Sequence, residues 1–357
     1  MHDIDFVIVT KNQIEYTARC IESIFAHVGR PFHLILVDNA STDGTRQYYE
    51  KLAERNGPHF KITVILNETN QGYVMGANQG LERSRAPYVI LSNNDVVIYP
   101  NAVEEMIRIA DQKSEFGLVN PNSNEFGFGA YNERKLGPLR GAYRERCHAA
   151  GFFVLIKRGA IDSIGVFDPA YSPGYFEEMD YSERAKRAGF LCVVARAAYV
   201  HHYGSRSFGA AGKKELMDAH RAIFTARWGG TKWFCYLGDR ESVLDSKRRG
   251  EVVAGLLRVA RENIAVIYLF VPRRAKKYFE EIHDSFRIIE TPGSLSRFAL
   301  LAKVWRSFRS KPISRIYVSD ERTMDFFKKL AFFHGAEVLV LSLVSDTSAS
   351  DTACVYL

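Results

Sequence analysis

The sequence predicts an α/β protein with a mostly parallel sheet, followed by a second, smaller α/β domain. Three observations carry this expectation. Short apolar runs alternate with segments of helical periodicity from the N-terminus onward. Each of the first four apolar runs hands over to polar side chains. The chain is also long for one domain at 357 residues, and the alternation restarts near residue 250. Alternating strands and helices build parallel sheets covered on both faces. The expected division is a first domain over residues 1–235, a helical connector over 236–262 and a small accessory domain over 263–357.

Residues 4–10 (IDFVIVT) read as the first strand, ending at Thr10. Ile14, Ala18, Ile21, Phe25 and Val28 recur at helical spacing, with Asn12 and Glu15 spaced as a capping box. His33–Val37 is a second strand ending at Asp38, and the turn residues 39–44 lead into a helix capped by Ser41, Thr42 or Asp43. Lys61–Leu66 is a third strand, and Asn70-Gln71-Gly72 opens another helix. Tyr88–Leu91 is the fourth, ending in Ser92-Asn93-Asn94-Asp95. Ligands of open parallel sheets bind beyond the carboxyl ends of the strands. Two aspartates and several amides on that one edge therefore suit a nucleotide, although turn chemistry also places polar residues there.

Residues 115–150 are rich in Gly and Asn and read mostly as loop. Residues 150–156 are strand-like. Phe176–Tyr181 (FEEMDY) sits at the start of a helix that stops at Gly189. Three carboxylates in a first turn are favoured by the helix dipole, so Glu177, Glu178 and Asp180 need no chemistry to explain them. A further strand over 190–200 ends in His201-His202.

The net charge of +7 is unevenly placed: residues 231–357 contribute +6 and residues 1–230 only +1. The basic character thus lies away from the strand ends, and nucleic-acid binding is not expected. Neither G-x-G-x-x-G nor G-K-[ST] follows the first strand, which disfavours a dinucleotide or phosphate-loop site. Five scattered cysteines without a C-x-x-C pair do not resemble a disulfide framework. No basic head with an apolar stretch opens the chain, and no apolar run approaches the ~20 residues of a membrane helix. The expected setting is cytoplasmic.

Seven segments in order carry a resemblance: VIVTKN at 7–12, VDNASTDGT at 37–45, NQGYVMGANQG at 70–80, LSNNDV at 91–96, AGFFVLIKR at 150–158, FEEMDYSERAKRAGF at 176–190 and HHYGSRSF at 201–208. Over about residues 4–210 the chain resembles glycosyltransferase family 2, nucleotide-sugar transferases of the GT-A fold, and within it rhamnosyltransferase-like bacterial enzymes of surface polysaccharide synthesis. The resemblance implies an inverting transfer from a UDP- or dTDP-sugar to a hydroxyl of a glycan or lipid-linked acceptor. It implies nucleotide-sugar contacts from Thr10, Asn12, Asp38, Asn70, Gly72, Asn78, Asn93 and Asn94. It also implies a divalent cation, Mn2+ or Mg2+, on Asp95 with a histidine, for which His202 fits best and His201 next. Adjacent strand residues face opposite ways, so one histidine alone should reach the metal. Asn93 stands where the family's first metal-site aspartate is usual, a departure that leaves Asp95 as the main carboxylate. Glu178 is implied as the general base in place of the usual aspartate, with Asp180 its rival. Gly151, Phe152, Tyr175 and Glu177 are implied on the acceptor side. The weakened metal motif leaves open a non-catalytic scaffold that binds nucleotide sugar.

In the C-terminal third, helices over 252–259, 275–283, 294–308 and 321–334 alternate with strands over 264–271, 286–289, 315–318 and 337–343. Phe298–Lys311 reads as a basic amphipathic helix. Packing on its own sheet is the expectation, and peripheral contact with an anionic inner membrane face is the alternative. Self-association is left open.

Overall fold

The computed structural model describes residues 2–55, 57–125, 129–204, 212–291, 312–330 and 334–341. The basic helix expected at Phe298–Lys311, residues 205–208 of the last motif and the tail after residue 345 lie outside these. The chain divides into two compact units, residues 1–228 and 229–357.

In the first unit, β1 (Ile4–Thr10), α1 (Ile14–His27), β2 (Phe32–Asn39), α2 (Thr45–Ala53), β3 (Phe60–Asn67), α3 (Gly72–Arg83) and β4 (Tyr88–Asn93) alternate as expected. These four strands pair in parallel in the order β3-β2-β1-β4, with Thr10 beside Asp38 and Val9 beside Asn93. Their polar ends therefore share one edge. Every residue of β1 and β2 is buried, as a strand covered on both faces requires. Phe6 and Ile8 pack with Ile21 and Ile24 of α1. On the other face, α3 lies so close that Cβ atoms at Gly76 and Gly80 would come within 2.8 Å of Val9 and 2.2 Å of Val7.

Beyond β4 come β5 (Val96–Ile98), α4 (Ala102–Gln112), β6 (Phe116–Ser123), α5 (Glu133–Leu136), β7 (Tyr143–Arg146), β8 (Phe153–Lys157), α6 (Arg158–Ile164), α7 (Glu177–Arg187), β9 (Leu191–His202) and α8 (Lys213–Trp228). The sheet extends as β4-β8-β6-β9-β5, with β7 also on β9, and four of these pairings are antiparallel. Two corrections follow, the first for residues 115–150. They contain β6 and β7 rather than mostly loop, because Phe116–Ser123 is buried along its whole length between β8 and β9. The Asn12–Glu15 capping box is also absent. Gln13 is the N-cap without a side-chain bond, and Asn12 Oδ1 instead accepts from the Thr42 N–H at 2.7 Å.

The second unit has one sheet, all parallel, in the order β12-β11-β10-β13-β14: β10 (Lys232–Leu237), β11 (Ala265–Pro272), β12 (Phe286–Thr291), β13 (Arg315–Val318) and β14 (Glu337–Val340). Its described α-helices are α9 (Arg240–Leu244), α10 (Ser246–Glu262) and α11 (Glu321–Lys329). The small parallel α/β domain expected from the sequence is present. Its central strand, β10, lies across the boundary the sequence suggested at residue 235, and α10 packs its Val252, Leu256 and Leu257 into the core of this unit. The helix expected over 275–283 is a 3-10 turn over Arg273–Tyr278. No described helix is long and apolar enough to cross a membrane.

The close approach of α3 to β1 generates a test. Gly80→Ala forces a methyl into Val7, and overpacking of this kind should destabilise the first unit by about 1–3 kcal/mol. Urea denaturation of the variant would measure it, and an unchanged midpoint would contradict the packing.

Candidate active site

The loops after β1 and β2 are locked to each other before any ligand arrives. Asn12, Gln13 and Ala40 have positive φ of 60°, 66° and 58°. Asn12 N–H donates to Ser41 Oγ at 2.7 Å, Ile14 N–H to Asp43 Oδ2 at 2.9 Å, and Lys11 Nζ to the Ala40 carbonyl. Asp38 is fully buried and accepts the Ser41 N–H on both oxygens at 3.2 Å. Thr10 Oγ1 pairs with Tyr49 OH at 2.7 Å. Asn94 Nδ2 donates to Thr17 Oγ1 at 2.9 Å, tying the end of β4 to α1.

Several residues expected to touch nucleotide sugar are thus occupied within the fold. Asn78 is 5% exposed and forms a two-way bracket with the Phe167 backbone, Nδ2 to the carbonyl at 2.8 Å and Oδ1 from the N–H at 2.9 Å. Asn70 Oδ1 accepts the Gly72 N–H at 3.0 Å. Gly72 has φ 76°, and a Cβ there would lie 2.6 Å from Pro173, whose carbonyl receives the Tyr73 N–H at 2.7 Å. This glycine admits a neighbouring loop.

Asp95, 5% exposed, follows β4 at the sheet edge. His202 at the end of β9 places Nε2 3.3 Å from Asp95 Oδ1 and 3.4 Å from Asn93 Nδ2, while Nδ1 lies 3.1 Å from Glu125 Oε2. His201 points elsewhere, its ring against Tyr203. Strand alternation therefore chooses His202. Glu125 was not singled out from the sequence, because a lone carboxylate in a Gly/Asn-rich stretch has no spacing signal. Burial opposes charge on His202, but its bonds to Asp95 and Glu125 outweigh this and raise its pKa. With Nδ1–H given to Glu125, the Nε2 lone pair faces a carboxylate oxygen, an arrangement that calls for a cation or proton between them. A carboxylate holding the far nitrogen of a histidine is also the usual second layer of a metal site. The residues fit a divalent cation.

The carboxylates of α7 separate clearly. Asp180 is fully buried. It accepts from Arg184 Nε at 2.9 Å, Arg227 Nη1 at 2.7 Å, Trp228 Nε1 at 2.9 Å and Tyr171 OH at 3.4 Å. A carboxylate so encumbered is a poor base, which weighs for Glu178 over its rival. Glu178 makes no comparable set of bonds. It is partly exposed and lies against Gly151, where a Cβ would be 3.6 Å from its own Cβ. Burial raises its pKa, which moves it toward the range useful for a general base at neutral pH. Tyr73 OH donates to the Gly151 carbonyl at 3.3 Å. Phe152, the next residue, stacks on His202 with centroids 4.9 Å apart and planes at 16°, and its carbonyl accepts the Asn93 N–H at 2.8 Å. Consecutive Cα atoms are about 3.8 Å apart, so residues 151–152 bring the Glu178 side and the Asp95–His202 side together. Tyr175 and Phe176 enter α7 with positive φ, 76° and 71°. The buried His220 of α8 secures this turn, its Nδ1–H reaching the carbonyls of Gly174 at 2.9 Å and Tyr175 at 3.1 Å.

Among the described residues, one cluster gathers three possible metal ligands within 4.8 Å: Cys147, His148 and Glu183. Lys186 already supplies a cation there, its Nζ 2.5 Å from Glu183 and 3.9 Å from Cys147 Sγ. We read it as an internal ion network.

Residues 5–164 match the family model described as Glycosyl transferase family 2. Over 257 residues the chain is 25% identical to the N-acetylglucosaminyl-diphospho-decaprenol L-rhamnosyltransferase of Mycobacterium tuberculosis, covering 61% of this chain and 81% of that protein. It is 26% identical over 109 residues to the succinoglycan biosynthesis protein ExoO of Rhizobium meliloti, covering 30% of each. Among solved structures it is similar in fold to GalNAc-T7 with UDP, GalNAc and Mn2+, with a TM-score of 0.52 and 14% identity, covering 64% of this chain and 49% of that one.

If Asp180 is structural, Asp180→Ala should lower stability by about 1.5–3 kcal/mol, because it removes the charge-assisted hydrogen bonds by which Arg184, Arg227 and Trp228 hold this end of α7. Urea denaturation would show this. Unchanged stability with lost sugar transfer would return Asp180 to the chemistry.

Proposed function

We infer that this chain, which carries a glycosyl transferase family 2 domain in a GT-A fold, inverts the configuration of a sugar as it moves it from a nucleoside diphosphate to an acceptor hydroxyl. The observation that carries the reading is the dipeptide Gly151-Phe152. Glu178 lies against the first of these residues and the His202 ring, paired with Asp95, stacks on the second, which supports a proton acceptor beside a carboxylate–histidine pair suited to a cation. Inverting transfer needs these two capacities on opposite sides of one sugar carbon.

In this reading the nucleotide lies along the carboxyl edge of the sheet from Asp38 to Asp95, with Asn93 toward the ribose. Asp95 and His202 would hold a divalent cation, with Glu125 orienting the histidine. Bound there, the cation neutralises charge on the diphosphate leaving group. GalNAc-T7, of the same fold, was solved with UDP and Mn2+, which supports this choice of ligands. Glu178 takes the proton of the acceptor hydroxyl as that oxygen attacks from the face opposite the diphosphate. Gly151 leaves room for the acceptor against Glu178, and Tyr73 fixes the Gly151 carbonyl. The rhamnosyltransferase relative is named for a lipid-diphosphate-linked sugar acceptor. We extend that class, a lipid-linked glycan of envelope polysaccharide synthesis, to this chain.

The decisive variants separate binding from chemistry. Glu178→Gln should lower turnover by about 10²–10⁴-fold, the usual loss of a general base, while UDP with Mn2+ still raises the melting temperature. Asp95→Ala should lose the Mn2+-dependent part of that rise. Near-normal turnover in Glu178→Gln would sink the base assignment. A metal-dependent shift surviving in Asp95→Ala would sink the metal assignment.

A further inference from the structure

Glu177 opens α7 directly before Glu178 and is 6% exposed. Its Oε2 is buried without a hydrogen-bond partner. Buried polar atoms are almost always paired, and an ionised carboxylate left short of partners is costly. The titratable groups against it are Glu178 on its own helix and Tyr73 from α3, and neither is a cation. The basic residues later in α7 are engaged elsewhere, Arg184 with Asp180, Lys186 with Glu183 and Arg187 over the Trp228 ring. Tyr73 remains a neutral phenol, since burial drives its pKa far up. Burial first and Glu178 second raise the Glu177 carboxyl well above the usual range, outweighing the backbone N–H groups of Tyr175 and Glu177 that favour its anion.

We propose that Glu177 works as a neutral carboxylic acid, so that the Glu177–Glu178 pair carries one proton, held on Glu177, while Glu178 is the anion that accepts the proton of the acceptor hydroxyl. This rests on the reading of Glu178 as base. Two adjacent carboxylates in one desolvated site titrate as a unit and resist double ionisation. A neutral Glu177 also changes what the site can bind. It can donate an O–H within the site, where an ionised residue would only accept. Glutamine is its close mimic in shape, charge and donor capacity, and alanine is not.

The test is the pH dependence of thermal stability in the full chain. A carboxyl whose folded pKa is raised contributes stability that is complete below its unfolded value, about 4.3, and lost as pH rises through the folded value. The wild type should therefore lose melting temperature relative to Glu177→Gln from about pH 5 upward. A difference that stays flat with pH would overturn the proposal. Should Glu177→Gln fail to fold, 13C resonances of labelled glutamate carboxyls in the wild type decide instead. One must remain protonated at neutral pH, and ordinary acidic titration of all of them refutes the idea. With acceptor at neutral pH, Glu177→Gln should recover most of the kcat/KM that Glu177→Ala loses. Glu177→Ala should fall by about tenfold or more, as for a lost hydrogen bond to a buried group. Equal losses in the two variants would count against a neutral donor. Glu178→Gln, assayed in parallel, tests the base alone: if it stays active the base reading fails, whereas the stability linkage of Glu177 is judged without turnover.

Discussion

A carboxylate with no exposure cannot be left charged and unpaired, and Asp180 is such a group. Its four partners come from its own helix, from the 3-10 turn at Pro169–Tyr171 and from the end of α8. Satisfying it fixes where α7 can lie relative to α8 and that turn. Arg227 strengthens the clamp by also reaching Asp168 at 2.7 Å. The same helix carries Glu177 and Glu178 one turn earlier, so their direction follows from the clamp. His220 completes the arrangement by holding the turn at residues 174–175 from which α7 starts.

The polar residues of the sheet edge differ in how far the fold already uses them. Asn12, Asn94, Asn78 and Gly72 use their amides or their lack of a side chain to join α1, α3 and the neighbouring loops. Asp95, His202 and Glu178 retain chemistry not consumed by the fold. Polar satisfaction is thus the criterion that distinguishes them, since all of these residues occur in equally polar stretches. A loop whose own bonds are complete holds its shape without ligand, which is what a site needs if binding energy is to go into the reaction.

The second unit has its own sheet and cores, built around β10, and none of the residues assigned to the chemistry lies in it. Its strand order, with the first strand central and later ones added on both sides, is that of a doubly wound sheet. The segment Lys232–Leu237 carries no decisive strand signal, because Trp233, Phe234, Cys235 and Tyr236 suit a buried helix as well as a buried strand.

The sequence by itself determined the first four strands, their parallel pairing and the polar edge they share, because a strand covered on both faces must be continuously apolar and must stop where polarity begins. It also pointed to Asp95, the His201-His202 pair and the carboxylates of FEEMD through their order along the chain. It favoured His202 over His201 beside Asp95, but it could not say which carboxylate the fold ties up, or that Glu125 joins the cluster. Those outcomes depend on contacts between residues far apart in the chain: Asp180 with Arg227 and Trp228, His202 with Glu125, Gly151 with Glu178. Only the tertiary structure decided them, because the protonation and availability of a side chain are set by its burial and partners, and neither is written in local spacing.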